Sequence, residues 1–181
     1  CRILRETSSS SMPLRLTPSN ESPLNVLFVG HEASRTGAPV GFLCLMRWFK
    51  DQRMADPLIW LRNGGPLTEA HAAIGPLAVG AEGKWQSAAD RGVHLAYLNT
   101  ATLGAFAEVL ATKGIPVICH VHEMEYGLRV TGARNLRQLR QHVSRFIACS
   151  CAVRDALIRV LGIADSKITV VPECVDVTRA L

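Results

Sequence analysis

From Asn25 onward, short apolar runs alternate with segments whose apolar residues recur at helical spacing. That alternation is the signature of βαβ units feeding a parallel sheet. The apolar runs predict strands at 25–30, 57–62, 77–80, 93–98, 116–121, 145–149 and 167–171. Runs such as VLFV and PVIC lack the every-other-residue polarity of a sheet with one wet face, so helices are expected on both sides of it. Between the strands, Phe42, Leu45, Met46 and Phe49 share one helical face. Leu103, Phe106, Ala107 and Leu110 do the same, as do Val153, Ala156, Leu157, Val160 and Leu161. Thr100 and Ser150 stand where a side-chain oxygen would cap a helix start, and Gly114 and Gly162 where helices commonly stop. The glycine-rich stretch 62–86 predicts loops and one short helix over 67–74. The fold class is therefore α/β: a Rossmann-like parallel sheet of about seven strands with helices on both faces.

Length and composition narrow this further. The 181 residues hold one ordinary domain, and 48% hydrophobic against 19% charged residues suits a packed core. Residues 1–24, with four serines at 8–11 and prolines at 13, 18 and 23, read as a disordered leader before the domain at 25–176. The chain opens at Cys1, with Met12 a candidate start, and reads as a fragment. No apolar run reaches the roughly 18 residues of a membrane span and no signal peptide opens the chain, so a cytoplasmic location is the expectation. The net charge of +5 and the 6% aromatic content supply no basic, stacking surface, which sets nucleic acid aside. Arg129, Arg134, Arg137 and Arg140 lie on a predicted helix whose Leu136, Leu139 and Val143 face the core. A solvated face is the favoured reading, and attraction to an anionic acceptor or to the inner membrane face is the alternative. The six cysteines read as reduced thiols, and Cys149 with Cys151 lacks the spacing of a zinc site. No metal and no cofactor is expected.

Two stretches carry candidate chemistry. The first strand runs into HEASRTGAP, residues 31–39, before a helix beginning near Pro39. A polar, glycine-containing loop that meets a helix start offers free amides and a positive dipole end to a phosphate or carboxylate, and Gly37 and Ala38 let a ligand approach the backbone. The loop has neither the Gly-Lys-Ser/Thr of a P-loop nor GxGxxG. The fifth strand ends in His120, Val121, His122 and Glu123, with both histidines on one side of the strand. Both stretches lie at the carboxyl ends of strands, where open α/β sheets bind ligands. Adjacent His122 and Glu123 cannot readily converge on one ion, so a zinc reading is weak.

With these residues the sequence resembles the N-terminal, acceptor-side domain of GT-B-fold retaining glycosyltransferases of family 4. The resemblance rests on NVLFVGHEASRTGAP, HLAYLNT, PVICHVHE, RFIACSCAVRDAL and KITVVPECVD, in that order, over about residues 25–176. It implies a transfer of sugar from a nucleotide-sugar donor, used as co-substrate, to a hydroxyl acceptor. It places Gly37 and Ala38 at the donor diphosphate, His122 against the transferred sugar with Glu123 beside it, and Ser150 at the next strand's end; these, with His31 and Asn99 at strand ends on the same edge, are expected in the same cleft. Ala38 stands where the family usually has a second glycine, and Ser150 is expected to serve more as a helix cap than as a ligand. The resemblance also implies a second Rossmann-like domain that holds the nucleotide, with residues 177–181 the start of the linker into it. Without that domain the fragment is expected to be inactive. The alternative is a non-catalytic Rossmann-like binding or assembly module. A dinucleotide oxidoreductase is disfavoured, because the first turn lacks GxGxxG and no acidic residue ends the second strand at Leu61 or Arg62.

Overall fold

The computed structural model describes residues 22–80 and 92–173. Seven strands form one parallel sheet: β1 (Leu24–Gly30), β2 (Ala55–Leu61), β3 (Leu77–Val79), β4 (Leu95–Leu98), β5 (Val117–Val121), β6 (Arg145–Ala148) and β7 (Ile168–Val170). Every predicted strand is present, with ends shifted by a residue or two, and Leu24 belongs to β1 rather than to the leader. The rest of the expected leader, residues 81–86 of the glycine-rich stretch and the linker at 177–181 fall outside the described residues, apart from Ser22 and Pro23.

The strand order is β3-β2-β1-β4-β5-β6-β7. The chain therefore steps outward from β1 in one direction, returns to its other side at β4, and steps outward again. The point of reversal lies between β1 and β4, in register from Val26↔Leu95 to Val29↔Leu98. At such a reversal the loops leaving two neighbouring strands diverge to opposite faces and open a crevice at the carboxyl edge.

Alternation along the strands sorts the core into two layers. Leu27, Val29, Trp60, Leu98, Val117, Cys119 and Val121 point to one face and pack with Phe106, Leu110 and Leu139. Val26, Phe28, Ile59, Leu61 and Tyr97 point to the other and meet Phe42 and Met46. The near-continuous apolar runs are thus explained by helices on both faces. Helix α1 (Gly37–Asp51) buries Phe42, Leu43 and Met46 on the second layer. Gly30 permits its close seat, since a Cβ there would stand 2.8 Å from Leu61 Cδ2 and 3.0 Å from Phe42 Cε1.

The remaining helices among the described residues follow the predicted faces with differences of detail. The short helix α2 spans Thr68–Ala72. Thr100 caps a 3₁₀ turn (Ala101–Leu103) that runs into α3 (Gly104–Thr112). The arginine-rich segment is two helices, α4 (Glu125–Val130) and α5 (Ala133–His142), rather than one. Gly132 separates them at φ +91°, a conformation that an L side chain rarely adopts. Leu139 and Val143 are buried as expected, and Arg134, Arg137 and Arg140 are exposed to solvent. Helix α6 (Cys151–Ala156) continues as a π-helical turn (Leu157–Leu161) that stops at left-handed Gly162, one of the two glycines predicted to end helices. Cys44, Cys119 and Cys149 are free, but Cys151 is disulfide-bonded, so the reading of all six cysteines as reduced is corrected.

Candidate functional site

A cleft of about 340 Å³ opens at the β1/β4 reversal, lined by Gly30, His31, Ala38, Asn99, Thr100, His122 and Glu123 among others. Its two walls come from the loops after β1 and β4, and the end of β5 closes one side. Five of the predicted site residues (His31, Ala38, Asn99, His122 and Glu123) therefore share one cavity.

The first wall is the segment between β1 and α1. Its backbone is tied down by Asn63 N–H donating to the His31 carbonyl at 2.9 Å and Leu67 N–H to the Ala33 carbonyl at 2.9 Å. The side chains leave the helix start open. Thr36, at the N-cap position of α1, makes no capping bond, and its hydroxyl instead lies 2.8 Å from that of Ser34. The amides of Gly37 and Ala38 begin a 15-residue helix with no side-chain cap, an anion-favouring arrangement. Gly37 stands at the helix start beside the cleft but outside its lining, and a Cβ there would meet nothing within 4 Å. Ala38 is helical, so the glycine usual at this position is not required by the backbone.

The second wall is cross-bonded. Asn99, 6% exposed, donates from Nδ2 to the Ala38 carbonyl at 3.2 Å and faces His122 Nε2 with Oδ1 at 3.2 Å. A carbonyl only accepts, so the amide orientation is fixed, and Nε2 of His122 is the donor in the second contact. At 3.2 Å that bond lies at the long end of the usual range. Glu123 accepts from the Ala101 N–H at 3.1 Å and 3.2 Å, from the Thr100 hydroxyl, and from the His122 N–H at 3.1 Å. Its carboxylate is therefore the clasp that binds the turn after β4 to the end of β5. Asn135 completes that clasp from α5, accepting from Gly104 N–H at 2.7 Å and donating to the Ala101 carbonyl.

His120 and His122 lie on one side of β5 with ring centroids 4.2 Å apart, as the alternation predicts. Their surroundings differ. His120 Nδ1 lies 2.8 Å from the Tyr97 hydroxyl, and His120 is absent from the cleft lining. Burial, and secondarily the neighbouring His122 ring, lower its pKa to about 4, so it is neutral at physiological pH. Burial likewise pushes the Tyr97 phenol well above its ordinary range.

The sequence reading missed one contact at His122. Glu173, beyond the end of β7, brings Oε1 within 2.6 Å of His122 Nδ1, in a geometry that does not make a hydrogen bond. A carboxylate just past the last parallel strand, at the same sheet edge as the histidines, is the signal that pointed there. Ser150 does not reach the cleft. Its oxygen accepts from the Val153 N–H at 3.2 Å, so its expected capping role is the one it fills, and its placement in the same cleft is corrected. Among the described residues no group of three or more His, Cys, Asp or Glu side chains is arranged to hold a metal ion, and no helix is long and apolar enough to cross a membrane.

A parallel sheet with one reversal, and a polar cleft at that reversal, define a Rossmann-like domain. Two solved structures share this fold. Anabaena HepE, crystallised in complex with UDP, is 20% identical with a TM-score of 0.67, over 86% of this chain and 45% of that one. The lipopolysaccharide outer core galactosyltransferase WaaB, in its apo form, is 10% identical with a TM-score of 0.63, over 84% of this chain and 46% of that one. Residues 85–179, more than half of the sequence, match Glycosyltransferase Family 4, and the chain belongs to that family. It spans less than half the length of either solved structure. No curated protein matches it by sequence.

Proposed function

We propose that the chain is the acceptor-side domain of an enzyme that moves a sugar from a nucleotide-sugar donor to a hydroxyl acceptor with retention, using no cofactor beyond the donor. The observation that carries this reading is the pairing, across one cleft, of an uncapped helix start with a hydrogen-bonded histidine. In the reaction the acceptor's hydroxyl oxygen bonds to the anomeric carbon as that carbon's bond to the diphosphate oxygen breaks; the electron pair leaves on the diphosphate, which takes up the hydroxyl proton. The amides of Gly37 and Ala38 face that developing charge. Nε2–H of His122 exchanges its long bond to Asn99 for one to a sugar hydroxyl, an interaction worth most when charge develops at the anomeric carbon. Glu123 keeps the histidine and the turn after β4 in register. A further domain holds the nucleotide, and the fraction of the solved relatives that this chain spans supports that division.

The test is an assay of nucleotide release across a panel of nucleotide sugars, comparing this 181-residue chain with the same chain extended along its reading frame. Donor-dependent release by the extended protein, absent from the 181-residue chain, is the expected result. Release by neither, with well-folded protein, would instead favour a binding or assembly module.

A further inference from the structure

The geometry points to Glu173 as a positioning residue for His122, fixing which ring nitrogen is turned toward the cleft; this rests on the transfer reading proposed above. Two carboxylates lie close to His122, and they do different things. Glu123 bonds the backbone N–H of His122 and the turn at Thr100 and Ala101, and none of these bonds goes to the imidazole. Glu173 touches the ring itself, at Nδ1 and 2.6 Å. With Nδ1 occupied by Glu173 and Nε2 facing Asn99 Oδ1, both ring nitrogens meet oxygens, and the ring is held from two sides.

The carboxylate is itself seated. Its Oε1 lies where a Cβ on Gly41 of α1 would stand 3.8 Å away, so it occupies the junction of α1, the end of β5 and the segment after β7. His122 is 15% exposed and Glu173 38%, so solvent reaches the carboxylate more than the ring. Glu173 thus links the segment leaving β7 to the polar group nearest the reacting centre. The carboxylate fills the space beside Nδ1, so the ring presents Nε2 rather than Nδ1 to the cleft.

The experiment compares Glu173→Gln and Glu173→Asp with the parent by ring-nitrogen NMR, by melting, and by steady-state transfer kinetics on the extended protein. In Glu173→Gln the His122 ring-nitrogen signals are expected to move while those of His31 and His94 stay, with the melting temperature little changed. kcat should fall about tenfold, the effect of losing one contact to a charged group, with the donor KM within about twofold. Glu173→Asp should recover part of the loss. Unmoved His122 signals would overturn the positioning role, as would unchanged kcat in a protein whose His122→Ala variant is crippled. If His122→Ala keeps full activity although the ring signals move in Glu173→Gln, the transfer reading falls and takes the positioning role with it.

Discussion

The two walls of the cleft are built in opposite ways. On the β4–β5 side nearly every polar side chain is spent on another part of the protein: Asn99 on Ala38 and His122, Glu123 on Thr100 and Ala101, Asn135 on the turn behind them. On the β1–α1 side Ser34 and Thr36 pair with each other, the helix start is uncapped, and His31 keeps 42% of its side chain exposed. One wall is pre-organised by the protein, and the other leaves its amides for a ligand. Substitutions on the β4–β5 wall should cost stability or turnover, whereas those on the β1–α1 wall should leave folding alone.

The largest effect is expected at the end of β5. His122→Ala in the active protein should lower kcat by about 10²-fold to 10³-fold with a smaller change in donor KM, because it removes a contact that strengthens in the transition state. Near-normal kcat in a well-folded variant would return His122 to a structural role. Next comes the clasp. Glu123→Ala strands the N–H groups of Ala101 and His122 in partly buried surroundings and should cost about 1–3 kcal/mol of stability, read by denaturant unfolding. A loss of stability much below that range would mean that the cross-bonding of this wall is dispensable.

The third prediction uses pH to separate the two histidines. His120 titrates near 4 in the fold and near its ordinary 6.5 when unfolded, so between these values the unfolded chain binds the extra proton. His120 therefore leaves stability intact above about pH 6.5 and erodes it as pH falls toward 4. His120→Asn, which can still pair with the Tyr97 hydroxyl, should flatten that stretch of the curve of melting temperature against pH. An unchanged slope would assign the acid sensitivity elsewhere. The smallest effect is expected on the open wall. At Gly37 a Cβ meets nothing, and the helical backbone suits alanine, so Gly37→Ala should be neutral or stabilise by up to about 1 kcal/mol. Thermal melts showing a clear loss would mean that this wall is built as tightly into the fold as the other.

Much of this was legible in the sequence. Central strands buried on both faces leave unbroken apolar runs, and with the shorter apolar runs of the edge strands all seven could be located to within a residue or two. The helix caps at Thr100 and Ser150 are local, and local rules found them. The cleft residues His31, Ala38, Asn99, His122 and Glu123 were found because the carboxyl ends of parallel strands share one edge. What escaped depends on contacts between distant parts of the chain. Only the place of Glu173 just past the last parallel strand hints that it reaches His122, because period and spacing report only on a residue's own element. The same limit hid the bonding of Glu123 to Thr100, where the family resemblance suggested chemistry. The break at Gly132 was in view as a glycine, but the helical spacing of Leu136, Leu139 and Val143 masked the change of axis.

The most direct test of the division between a fixed wall and a receptive one is the crystal structure of the extended protein with an intact nucleotide sugar bound. The diphosphate should lie against the amides of Gly37 and Ala38, with a sugar hydroxyl within about 3.2 Å of His122 Nε2 and the Glu123 clasp unmoved. A donor bound with its sugar away from His122, or a clasp opened to receive it, would contradict the account.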